Sequence, residues 1–192
     1  MSRFSMPARL MRRPFRGYEA LAQRGEGEGR PTVVGGMARL LFVIGAFVSL
    51  TATGRLSAFE LVSGMISFSY VPVVHVISLA IALRLVAREV KLPRAYALYA
   101  EGYGPWFVFM LLAAGGSLLL PEPARLLSRT SGLLMSGTFV WGGVLTFACF
   151  RSGLALSRLR AALALGIHYL VVTALVLSFF LAAGQLLPII PR

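Results

Sequence analysis

Apolar and polar positions along this chain fall into long blocks rather than into the short alternations of a soluble helix or strand. Five blocks approach the ~20 apolar residues that a helix needs to cross a bilayer: residues 37–54, 70–87, 104–121, 131–150 and 162–188. The apolar stretch 57–86 is long for one span and too short for two. Residues 57–70 therefore read as an interfacial lead-in, with Pro72 at its junction with the span proper, because a proline in the first helical turn removes an N–H that has no partner there. The pattern predicts an all-α polytopic membrane protein in which residues 1–36 form a basic flexible cytoplasmic arm. Residues 37–192 form a five-helix transmembrane domain with interfacial amphipathic segments.

Composition sharpens this picture. With 57% hydrophobic and 14% charged residues, the chain cannot clothe a soluble domain in polar side chains. Its seven acids are all Glu, and Asp and Asn are absent, which excludes paired-Asp catalysis, DxD sites and EF-hands. The net charge of +12 does not point to nucleic acid, because no basic patch with interleaved aromatics lies outside the apolar blocks. It fits basic loops held on the cytoplasmic side beside anionic headgroups. With the N-terminus inside, 15 basic residues are cytoplasmic and four (Arg55, Arg125, Arg129, Arg192) are outside, so the charge bias favours N-inside, C-outside. The arm carries Arg3, Arg9, Arg12, Arg13, Arg16, Arg24 and Arg30, broken by Pro7, Pro14, Pro31 and the run RGEGEGR. Two readings stay open for it: a disordered positive-inside anchor, or a broken amphipathic segment on the inner leaflet. Cys149 is the single cysteine, so no intramolecular disulfide can form.

Helices in a bilayer associate through small residues that let backbones approach. Gly45, Ser49 and Thr53 form one such stripe, Gly132 and Ser136 a second, Thr138 and Gly142 a third, and Ala162 with Gly166 a fourth. These predict close packing of the first, fourth and fifth spans.

An ionisable residue inside a span is a functional pointer, because burying it costs free energy. The candidates are His75 near the start of the second span and His168, followed by Tyr169, in the fifth. Neutral imidazoles can hydrogen-bond across helices or relay protons. Metal binding lacks a ligand set, no serine sits in GxSxG, and no acid is placed to orient either histidine. No enzymatic chemistry and no cofactor are therefore expected.

The segment YALYAEGYGPWFVFMLL, residues 96–112, predicts an interfacial helix. Tyr96, Tyr99, Tyr103 and Trp106 follow Leu92 at steps of three and four and share one face, with Lys91, Arg94 and Glu101 on another. The rings suit the headgroup level and the charges suit water, lipid phosphate or a docking partner. Gly104 and Pro105 then start the third span. Tyr70-Val71-Pro72 echoes Tyr103-Gly104-Pro105, a faint repeat of the same elbow.

Residues 139–177, FVWGGVLTFACFRSGLALSRLRAALALGIHYLVVTALVL, combine a tryptophan in a penultimate span with a short link of type G-L-x-x-S-R-x-R-A and a last apolar span. With the aromatic and proline elbow before residue 106, this resembles the bacterial type of Yip1-domain membrane proteins over about residues 57–188. The resemblance implies a five-span, N-inside protein of the inner (cytoplasmic) membrane without enzymatic chemistry. Such a protein would be an accessory or structural subunit linked to export or membrane organisation, with other membrane proteins or further copies of itself as partners. The alternative is a small transporter or permease component with a polar path through His75 and His168.

Overall fold

The computed structural model describes residues 5–23, 32–119 and 123–186, and all regular structure among them is helical. The elements are α1 (Ser5–Arg12), α2 (Pro14–Ala22), α3 (Val33–Thr53), α4 (Ala58–Ser67), α5 (Tyr70–Val86), α6 (Leu92–Ala100), α7 (Gly104–Leu119), α8 (Pro123–Ala148) and α9 (Arg158–Leu186). A 3-10 turn, Glu101–Tyr103, joins α6 to α7, and a π turn, Cys149–Gly153, ends α8. Three stretches among the described residues are long and apolar enough to cross a membrane: Val33–Thr53, Ala58–Val86 and Arg158–Ala182. The chain is thus compatible with a multi-pass membrane protein.

Local chemistry sets the helix ends. Thr32 caps α3, its Oγ1 accepting from the Gly35 N–H at 3.1 Å, and Gly54 closes that helix in the left-handed conformation, φ 69°. Pro14 and Pro93 lie in the first turns of α2 and α6, where a missing N–H costs nothing. The π turn is closed by Leu154 N–H donating to Cys149 O at 2.9 Å. The following link passes through Ala155 at φ 54°, a left-handed position without a glycine.

Helix packing follows side-chain size. α3 lies against α4 so closely that a Cβ on Gly45 would stand 2.5 Å from Leu61 O. A Cβ on Gly36 would stand 2.5 Å from the Ala100 Cβ, which fixes α3 beside α6. α5 pairs with α9 and α7 with α8, the latter at Gly142, where an added Cβ would be 3.4 Å from Trp106 Nε1. Of the predicted mutual packing of the first, fourth and fifth spans, the contact of α8 with α9 is present, with Tyr169 against Phe139, whereas α3 packs chiefly against α4, α6 and α7. Gly45 and Ser49 are buried as expected, but they serve the α3–α4 contact and the turn after α3. Ser49 Oγ accepts from Ser57 N–H at 2.7 Å and donates to Arg55 O at 3.0 Å. Ser136 is exposed, Gly166 is exposed with open space where a Cβ would go, and the surroundings of Gly132 lie outside the described residues.

The N-terminal region differs from the expected flexible arm. Residues 5–23 fold into α1 and α2, and Tyr18 is fully buried against Gly153 and Leu98. Leu10 and Leu21 are also in the core. The physical reason is spacing: Leu10, Pro14, Gly17, Tyr18 and Leu21 recur at three- and four-residue steps and make one apolar face between the arginines. Arg3, Arg24 and Arg30 lie outside the described residues, as does Arg192.

Candidate functional site

The polar core is assembled from three helices. α5 contributes His75 and Ser78 one turn apart, α6 contributes Tyr99, and α9 contributes His168. Tyr99 Oη lies 2.9 Å from His75 Nδ1 and 3.2 Å from His168 Nε2. His168 Nδ1 lies 2.8 Å from Ser78 Oγ, which donates to His75 O at 3.0 Å. The two imidazoles stack with centroids 5.6 Å apart and planes 26° from parallel. His168 and Ser78 are wholly buried.

With neutral imidazoles, one arrangement of protons satisfies all four contacts at once. A carbonyl can only accept, so the single Ser78 hydroxyl proton goes to His75 O. Ser78 Oγ then accepts from His168 Nδ1–H, which makes His168 Nε2 the acceptor for the Tyr99 hydroxyl. Tyr99 Oη in turn accepts from His75 Nδ1–H. In that arrangement each of the four contacts is satisfied once, and both histidines carry their proton on Nδ1.

Around this chain lies a layer of aromatic rings. Tyr103 packs edge-on to Tyr99 at 5.3 Å and to His75 at 5.7 Å, and Phe150 of the π turn meets His168 at 6.3 Å. The hydroxyls of Tyr18, Tyr96 and Tyr103 are buried; those of Tyr96 and Tyr103 interact with one another, and that of Tyr18 has no hydrogen-bond partner among the described residues. Burial pushes the Tyr18 and Tyr99 phenols well above their ordinary range, since a phenolate would lose its hydration there.

The sequence placed Tyr96, Tyr99, Tyr103 and Trp106 at the lipid headgroup level, and the structure corrects this. Tyr96, Tyr99 and Tyr103 are 1%, 8% and 5% exposed and line the protein core, while Trp106 packs against α8 at Gly142. The shared face was read correctly, but α2, α3 and the π turn cover it. Lys91 and Arg94 are exposed, and Arg94 Nη2 reaches Ala22 O at 3.5 Å. Glu101 is not on an open charged face with them: it takes both oxygens to the Arg39 guanidinium. Sequence reasoning missed Arg39, Ser78 and Tyr18 as site residues. The available signal was an arginine one turn into a span, beside a chain segment that holds an acid.

His75 and His168 are brought together, whereas Tyr169 turns toward α8, its ring 5.3 Å from Phe139. Among the described residues no three of His, Cys, Asp and Glu converge as metal ligands. No protein-family model matches the chain, and neither a curated protein nor a solved structure matches it.

Proposed function

We propose that the chain is a non-enzymatic accessory or structural subunit of a larger membrane assembly. In this reading it crosses the inner membrane five times with its N-terminus in the cytoplasm and its C-terminus outside. The observation that carries the proposal is that His75, Ser78, Tyr99 and His168 commit their facing hydrogen-bonding groups to one another. Polar groups used this way lock α5, α6 and α9 into one body. The bias of basic residues and the resemblance to Yip1-domain proteins support the topology and a link to export or membrane organisation. Affinity purification from native membranes, followed by native mass measurement, tests the role. A stoichiometric partner or a defined self-assembly is expected, and a strictly solitary chain would sink the proposal.

A second reading, a small transporter component, is favoured by the unbroken donor-acceptor chain from His75 through Tyr99 to His168 and Ser78. Glutamine at both histidines keeps hydrogen-bonding capacity but cannot relay a proton. In proteoliposomes a carrier would lose proton-coupled uptake in this variant. A structural subunit would show none in either form.

A further inference from the structure

The basic ends of the helices gather at one rim of the body. There Glu89 meets Arg160 at 3.3 Å and Arg94 reaches α2. Between α2, the end of α8 and the start of α9 a cavity of about 550 Å³ opens, lined by Arg151, Arg158 and Ser152 together with Phe15 and Phe147. We propose that this cavity binds a phospholipid whose headgroup is a phosphodiester anion, with Arg151 and Arg158 on the phosphate and the two phenylalanines against the start of an acyl chain.

Four observations carry the assignment. Arg151 is held in place by its Nη1 donating to Leu156 O at 2.8 Å, a neutral partner that leaves its charge uncompensated. Arg158 has no ion pair among the described residues and begins α9, where the helix dipole also favours an anion. The one acid in the wall, Glu19, accepts from Ser152 Oγ at 3.4 Å, so the walls carry two positive charges and one negative. Their net single charge matches a monoanionic phosphodiester better than a dianionic free phosphate. The apolar half decides for a lipid: Phe15 and Phe147 meet edge to face at 6.2 Å, and Phe15 stays exposed where the apolar lengths of α8 and α9 begin. A water-soluble anion would have no use for that wall. The site does not depend on the assembly role proposed above.

Native mass spectrometry of the purified full chain, titrated with phosphatidylglycerol and with phosphatidylcholine of the same acyl chains, tests the site. One saturable phosphatidylglycerol is expected, bound at least about fivefold more tightly than phosphatidylcholine. Arg158→Gln should remove that preference, whereas Arg160→Gln, which alters the exposed pair with Glu89, should keep it. Phe15→Glu, which cancels the net charge of the walls from an exposed position, should abolish it as well. Equal binding of the two lipids, an unchanged preference in Arg158→Gln and Phe15→Glu, or displacement by equimolar inorganic phosphate would each overturn the proposal.

Discussion

Arg39 and Glu101, 62 positions apart in the chain, form a two-pronged ion pair that ties the first turns of α3 to the junction of α6 and α7. The glutamate side chain is 12% exposed and the arginine 49%, so the pair lies between a surface contact and a buried one. The close approach of Gly36 to Ala100 sets the same two segments together. A planar guanidinium meeting both carboxylate oxygens gives geometry as well as charge.

Removing one member should cost more than removing both. Glu101→Gln is expected to lower stability by about 1–2 kcal/mol, between the values typical of exposed and of buried pairs. Arg39→Gln should cost more, because it leaves the less exposed acid unpaired. Thermal unfolding in detergent measures both. Arg39→Gln with Glu101→Gln should recover part of the loss, and strictly additive effects would argue against the pair.

Tyr99 and Tyr18 are both buried phenols, yet they should respond oppositely to loss of the hydroxyl. Tyr99→Phe leaves two imidazole nitrogens, His75 Nδ1 and His168 Nε2, without their partner and is expected to cost about 1–3 kcal/mol. Tyr18→Phe removes a hydroxyl with no partner among the described residues and should be neutral or stabilising. Unfolding midpoints of the two variants compare them directly, and a large loss in Tyr18→Phe would mean that its hydroxyl is bonded.

Alkaline pH should weaken the fold through the same phenols. Tyr18 and Tyr99 keep their protons above the ordinary value of 10.0, whereas an unfolded tyrosine releases its proton near that value. Above about pH 10 the unfolded state therefore binds fewer protons than the folded one, and stability falls as pH rises. Below it the contribution is fully present. Midpoints measured from about pH 8 to 11 should decline late in the series. The decline should be shallower in Tyr18→Phe.

Glycine substitutions separate packing from composition. Gly45→Ala forces a methyl onto the α4 backbone at Leu61 and should destabilise the α3–α4 contact by about 1–3 kcal/mol. Gly166→Ala meets open space in a helix and should be neutral or slightly stabilising. Equal effects in an unfolding assay would contradict the helix pairing described above.

Much of the helical layout was readable from hydrophobic blocks. The blocks at 70–87 and 104–121 coincide closely with α5 and α7, and the lead-in at 57–70 contains α4. Block length reports a helix directly, but it says little about what covers each face. The shared face of Tyr96, Tyr99 and Tyr103 was legible, while its burial was not, because a tyrosine suits a headgroup layer and a polar core equally well. The Arg39–Glu101 pair and the meeting of His75 with His168 span 62 and 93 positions of sequence, and helix periodicity carries no information at that range. The small-residue stripes misled for a related reason: Gly45 and Gly166 look alike in sequence, and only the neighbour across from each decides whether its missing side chain matters.

His75 and His168 share one self-satisfied network with Ser78 and Tyr99. Nitrogen-15 NMR of the imidazoles, with the protein in lipid bilayers at neutral pH, tests it most directly. Two neutral rings are expected, both protonated on Nδ1 and not exchanging. A ring protonated on Nε2, an imidazolium, or exchange between tautomers would contradict it.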